Sequence, residues 1–283
     1  MLAHDPGPAD RIGREGRGRI VARAGSEIDP SSQPSRAHTV LETALAESPL
    51  RFVRPTFPGS SAASVCLVTF GGGLVDGDRI DVELVVEEGA TLVVFTQSTT
   101  KAFRGRTSQA IRADVRGTLV LLPDPVACFA DARYEQRVDV TLHGDGSAIV
   151  LDGFTSGRPA FGERWAMESL DMATTIRRGD RVIVRDAVHL DRGEGPLAAR
   201  LDPFEAMTTV LAVGPRVRPL LPTLLSPPVV RRDLVAAPSA LPFADAVLAR
   251  IAASSPSLAL EEARSRLRNL PDIDVVDPFL SRH

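Results

Sequence analysis

The chain has 283 residues, 43% of them apolar and 24% charged, with a formal net charge of −3 and a sequence pI near 6.0. That length suits one large β domain or two smaller ones, and the composition is that of an ordinary globular chain, which excludes wholesale disorder. The charge balance leaves no basic footprint for DNA or RNA, and no run of eighteen apolar residues exists to cross a membrane.

Residues Met1 to Arg17 are rich in Gly, Pro, Asp and Arg without an apolar period, so a flexible tail is expected, with structure starting near Arg19. The same residues interrupt any signal-peptide core, which points to a cytoplasmic protein. Cys66 and Cys128 lie far apart and outside any CxxC, so they write neither a disulfide framework nor a zinc ribbon, and a reducing compartment fits.

From residue 18 to 192 the signal is β. In Arg79 to Glu87, Ile80, Val82, Leu84 and Val86 alternate with polar residues, the pattern of a strand with one buried face. Ala90 to Phe95 is apolar on both faces and reads as an interior strand; with the turn at Glu88-Gly89 the two predict an unequal hairpin. The unit returns as Arg112–Arg116 with Thr118–Leu122, again as Arg137–His143 with Ser147–Leu151, and around Arg178-Gly179-Asp180. A recurrence of roughly thirty residues predicts stacked β layers, a plain sandwich being the alternative.

The Gly/Pro-rich stretch 193–203 reads as a connection to a C-terminal part, 193–283, with strands and two amphipathic helices. One helix is expected over Pro242–Ala253, with Phe243, Val247, Leu248 and Ile251 on one side, and another over Leu258–Leu270. Ser239 and Ser257 are the candidate caps.

Three motifs bear on chemistry. Gly71-Gly72-Gly73-Leu74-Val75-Asp76-Gly77-Asp78 lies between strands and opens no helix, so it is neither a P-loop nor a Rossmann turn. Its glycines suit an irregular crossing between layers, and Asp76 with Asp78 offer oxygens to a divalent cation only weakly. Thr96 to Arg104 sets five polar residues and Lys101 after a buried strand; such a patch is solvated, hydrogen-bonded inside, or part of a polar channel or contact surface. Asp152 ends an apolar run and needs a partner such as Arg158, Arg164 or a metal. Asp152 and Glu163 as an acid/base pair is the less favoured reading, structural ion pairing the better one. The histidines, at 4, 38, 143, 189 and 283, never take a metal-binding spacing, and no GxSxG or HExxH appears. The chain is therefore read as a protein other than an enzyme.

The order and separation of these motifs resemble the UreD family of urease accessory proteins, called UreH in some organisms. Ser48-Pro49-Leu50-Arg51 to Arg54-Pro55 resemble its PL…RP segment, and Gly72, Gly73, Gly77 and Asp78 its GG(L/I)VxGD loop. Thr100-Lys101-Ala102-Phe103-Arg104, Leu122-Pro123-Asp124-Pro125 and Gly157-Arg158-Pro159 to Gly162-Glu163 complete the series. Phe103 stands where tyrosine is usual, Cys128 where proline or an aromatic is, and a closing Pro-Arg-x-Trp is missing. The resemblance implies a mainly β, β-helix-like stack with a few C-terminal helices. It also implies action with UreF, the GTPase UreG and the urease apoprotein in assembling the nickel centre. Nickel would be transient cargo, GTP would enter only through the partner, and Thr100, Asp152 and Asp186 would line an internal passage. A pure scaffold bridging urease and UreF without touching nickel is the alternative. Sparse carboxylates suit a metal that must be passed on, whereas a closed imidazole or thiolate site would retain it.

Overall fold

The computed structural model describes residues 13–25, 38–242 and 245–278. Most of the expected tail, residues 1–12, and Phe243 lie outside them. Regular structure begins with β1 (Glu15–Gly25), ahead of Arg19. It continues through β2 (His38–Ala46), β3 (Leu50–Val53), β4 (Ala63–Thr69), β5 (Arg79–Val86), β6 (Thr91–Thr96), β7 (Lys101–Ala102), β8 (Gly105–Val115), β9 (Thr118–Leu122) and β10 (Val126–Cys128). Next come β11 (Ala132–Leu142), β12 (Ser147–Thr155), β13 (Gly157–Arg158), β14 (Glu163–Arg164), β15 (Ser169–Arg178), β16 (Arg181–Asp191), α1 (Leu197–Leu201), β17 (Ala206–Val213) and α2 (Leu221–Leu224). The described chain closes with β18 (Val229–Val230), β19 (Leu234–Ala240), β20 (Ala246–Ala253) and α3 (Pro256–Arg266).

The fold is mainly β. Two facing sheets hold most of the strands, in the orders β16-β15-β11-β8-β5-β1-β2 and β18-β19-β20-β17-β12-β9-β6-β4-β3. The middle of the first sheet, β1 through β15, pairs in parallel, and so do β4, β6, β9 and β12 in the second. The expected hairpin at Glu88-Gly89 is therefore not one. β5 and β6 belong to different sheets, and the turn is a corner carrying the chain across. These corners stack: Thr118 N–H donates to the Ala90 carbonyl (2.8 Å) and Ser147 N–H to the Gly117 carbonyl (2.9 Å). A Cβ at Gly117 would meet the Ala90 carbonyl at 2.2 Å, so the layer spacing there requires glycine. The recurrence of strand, glycine turn and strand is a stack of coils, as in repeat architectures that bury one continuous core.

Inward side chains of the first sheet, Ile80, Val82, Leu84 and Val86 among them, meet Leu92, Val94, Leu119, Leu121 and Val150 of the second in one core. The other face of the second sheet is also buried, under α2, α3 and neighbouring turns that contribute Leu220, Leu224, Ala259, Ala263 and Leu267. Burial on both faces explains why β6, β9 and the start of β12 are continuous apolar runs.

The helix expected over Pro242–Ala253 is replaced by β20, whose Val247, Ala249, Ile251 and Ala253 are buried with period two. Eight register pairs with β17 and seven with β19 fix it as an interior strand. The second expected helix exists as α3, capped by Ser255 accepting from Leu258 N–H (3.3 Å) rather than by Ser257. Ser239 lies in β19. No helix among the described residues is long and apolar enough to cross a membrane.

Candidate functional site

The inward positions of the first sheet are apolar except along one strip. β8 alternates Thr107, Gln109, Ile111, Ala113; β11 alternates Tyr134, Gln136, Val138, Val140; β15 supplies Thr174 and β16 Asp186. Opposite them, β12 turns Asp152 inward, in register with Thr209 of β17 and Arg250 of β20. A polar seam thus runs between two greasy layers, and the sheets leave space along it.

That space is a cavity of about 360 Å³. Its walls include Thr69, Gly72, Gly73 and residues 96–101 at the loop end, then Gln109, Gln136 and finally Asp152. A second, much smaller cavity, about 20 Å³, continues from Asp152 and Thr174 to Asp186, Thr209 and Arg250. Thr100 and Asp152 line the first, Asp152 and Asp186 the second, so Asp152 stands in the partition between them.

Asp152 is fully engaged. Its Oδ1 accepts from Gln136 Nε2 (2.7 Å) and from Gly153 N–H (2.8 Å), and its Oδ2 accepts from Thr174 Oγ1 (3.0 Å). Tyr134 Oη lies 2.6 Å from Gln109 Oε1 and 2.7 Å from Gln136 Oε1. One phenolic proton serves one acceptor. Because Gln136 gives its amide nitrogen to Asp152, its oxygen takes that proton, and the Gln109 amide is read with its nitrogen donating to the phenol oxygen. Burial pushes the Asp152 carboxyl up to about 6; Thr174, Gln136 and Gly153 N–H oppose the rise and the Asp186 carboxylate adds to it. Its residual accessibility faces the cavity. The arginines expected to pair with it are elsewhere: Arg164 bonds Glu205 (3.1 Å) and Asp202 (2.9 Å), and Arg158 bonds Glu163. Asp186 instead pairs with Arg250.

The glycine loop is structural in its acids. Asp78 accepts from the N–H groups of Arg14 and Val75, both at 2.8 Å, and Asp76 accepts from Arg106 N–H (2.8 Å). Both carboxylates are tied to backbone N–H groups, and among the described residues no three His, Cys, Asp or Glu side chains gather to hold a cation. Gly77 packs on the backbone of Gly13, and Gly73 on Lys101. A Cβ on Gly73 would stand 2.6 Å from the Lys101 carbonyl and 2.7 Å from the Phe103 ring. The loop thus seats β7, with Lys101 exposed beside the cavity mouth.

Glu163 does not join Asp152. It lines an open surface concavity with Val75, Phe103, Arg104, Phe129 and Arg158. Gly157-Arg158 pairs with Glu163-Arg164 as a short ribbon, and Pro159 starts the turn between them. The Arg158 fork holds Glu163 at 2.9 and 2.5 Å, and that cation keeps the Glu163 carboxyl below the usual range. The same guanidinium lies 4.1 Å from the Phe129 ring centroid and 5.3 Å from that of Phe161, which is 76% exposed. Phe103 meets Phe129 edge-on at 5.1 Å. Three separated motifs therefore converge on one face.

Sequence reasoning did not single out Gln109, Tyr134, Gln136, Thr174 or Arg250. The available signal was a polar residue at an inward position of an alternating strand, as Gln136 interrupts the face carried by Val138, Val140 and Leu142. It also passed over Lys101 being the only lysine in the chain.

The UreD urease accessory protein family model matches residues 24–271. A urease accessory protein UreD from Sorangium cellulosum is 40% identical over 254 residues, covering 87% of this chain and 78% of that protein. Another from Anaeromyxobacter is 34% identical over 284 residues, covering 96% and 91%. The urease accessory protein D of Arabidopsis thaliana is 33% identical over 181 residues, 60% of this chain and 62% of its own. The matched region takes in both the seam and the motif-bearing face, and the chain belongs to the UreD family of urease accessory proteins.

Proposed function

We propose that the chain serves urease maturation as a scaffold that also passes nickel, its two interior cavities forming a conduit in which Thr100, Asp152 and Asp186 are successive oxygen donors. The observation carrying this reading is that Asp152 lines both cavities. Ni²⁺ is cargo here. A hydroxyl, amide oxygens, spaced carboxylates and water hold such an ion loosely, so it exchanges from one to the next instead of settling. The protein works with UreF, with UreG, through which GTP acts, and with the urease apoprotein, in the cytoplasm.

The test is Asp152→Asn with Asp186→Asn, assayed as urease activation in cells carrying the native partners. Activation should fall at limiting nickel and recover with added nickel. Unchanged activation at limiting nickel overturns the conduit and leaves the second reading, a scaffold that never contacts the metal. The concavity with its exposed Phe161 and stacked Arg158 favours that reading, being the kind of surface a protein partner covers.

A further inference from the structure

The smaller cavity ends at a cation. Arg250 occupies an inward position of β20, in the register row Asp152–Thr209–Arg250 of the second sheet. The facing row of the first sheet is Val138–Thr174–Asp186. Two polar contacts join these rows: Thr174 donates to Asp152, and Arg250 to Asp186. The second pair is lopsided in solvent. The Asp186 side chain is 12% exposed and that of Arg250 44% exposed.

This asymmetry matters for any cation arriving from Asp152. Asp186 is the next carboxylate, and its oxygen is already held by the Arg250 guanidinium. A metal engaging Asp186 has to displace that guanidinium, which swings toward water at little cost because nearly half its side chain is already there. When the metal leaves, the tethered cation returns. With its cation nearly half in water the pair opens when a second cation takes the carboxylate, yet the guanidinium charge disfavours a resting divalent ion beside it.

Building on the conduit reading, we propose that Arg250 is the release residue of the passage: a tethered competitor for Asp186 that keeps a divalent cation from lodging at the far end. The bland role for the same pair is a staple between the two sheets. A staple affects stability alone, whereas a competitor sets metal affinity through Asp186.

The experiment uses the full chain and Ni²⁺ alone, by calorimetric titration of wild type, Arg250→Gln, Asp186→Asn, the double variant and Asp152→Asn. Removing the guanidinium should tighten nickel binding about tenfold or more. The gain should vanish in the Arg250→Gln/Asp186→Asn protein. In cells with the native partners, Arg250→Gln should depress urease activation at limiting nickel although it binds the metal better. Should Arg250→Gln fail to fold, Arg250→Met keeps the packed stem without the charge and is read in the same way. Unchanged affinity in the arginine variants, with Asp152→Asn still weakening binding, overturns the role of Arg250 and leaves the conduit standing. Nickel affinity indifferent to Asp152 and Asp186 alike removes the conduit and this inference together.

Discussion

Thr174 Oγ1 on one sheet donates to Asp152 Oδ2 on the other across 3.0 Å. The hydroxyl comes from an inward position of β15 and the carboxylate from an inward position of β12, so the bond crosses the core between the stacked layers. With Gln136 and Tyr134 it makes the polar seam continuous through an otherwise apolar interior. A carboxylate held this way has its bonds made, yet burial still disfavours its charge.

The first consequence is a contribution of Asp152 to the pH dependence of stability. Its folded pKa of about 6 lies above the unfolded value near 3.8. A raised pKa means the folded state prefers the protonated form, so stability is fully present below the unfolded value and is lost as pH rises through about 6. Asn at this position fits the same partners, with its oxygen accepting from Gln136 and Gly153 and its nitrogen donating to the Thr174 hydroxyl. Asp152→Asn should match wild type near pH 4 and exceed it above pH 7 by on the order of 1–3 kcal/mol, discounted for water in the cavity. Denaturant unfolding of both proteins from pH 4 to 8 measures this; a difference that does not grow with pH contradicts it.

Much of this architecture is written in β5. Its Ile80, Val82, Leu84 and Val86 alternate cleanly, and the glycine turns recur at the layer spacing. What is not written is whether Gly89 closes a hairpin or turns a corner, because both need the same turn chemistry between the same apolar strands. The choice is made by partners far along the chain, β8 and β9. β20 misled for a related reason: AVLARIAA is rich in good helix formers, and only the flanking strands β17 and β19 hold it extended. Asp152 stood out as an acid at the end of a greasy run. Its partners did not, since Gln136 and Thr174 come from strands whose pairing has no local signature.

The glycine loop offers a paired test of close packing. Gly72 has φ +75° with open space where a Cβ would go, while Gly73, at φ +157°, would drive one into the Lys101 carbonyl and the Phe103 ring. Gly72→Ala should cost about 1–2 kcal/mol from the backbone alone. Gly73→Ala should cost more, about 2–4 kcal/mol, because backbone must move as well. Thermal unfolding ranks the two, and equal losses would mean that the loop does not seat β7.

Lys101 gives direct access to the mouth of the large cavity. With one lysine in the chain, an amine-directed reagent adds only there and at the N-terminus. The side chain is exposed, so modification should go to completion on folded protein. A bulky adduct should slow Ni²⁺ uptake by the full chain, and Lys101→Arg, modified only at the N-terminus, should be spared. Stopped-flow uptake with both proteins decides; slowing in the arginine variant as well would locate the effect elsewhere.

Arg266 ties α3 to the end of α2 and the turn after it by a different logic from the surface pairs. It is 1% exposed, with Nε 2.8 Å and Nη2 2.7 Å from Glu262 Oε1, and its remaining protons go to the carbonyls of Leu224, Ser226 and Pro227 at 3.2, 3.0 and 3.3 Å. The guanidinium thereby satisfies a stretch of backbone after α2 that no strand reaches. Truncation to Ala strands those carbonyls and leaves Glu262 without its counter-charge, which should cost about 3–5 kcal/mol. Replacing both members, Arg266→Met with Glu262→Leu, removes the orphaned charge and should recover part of that loss, because a buried pair is expensive mainly when broken. Urea unfolding of the single and double variants distinguishes the cases: a loss below about 1 kcal/mol for Arg266→Ala would mean that α3 is held by its apolar face alone.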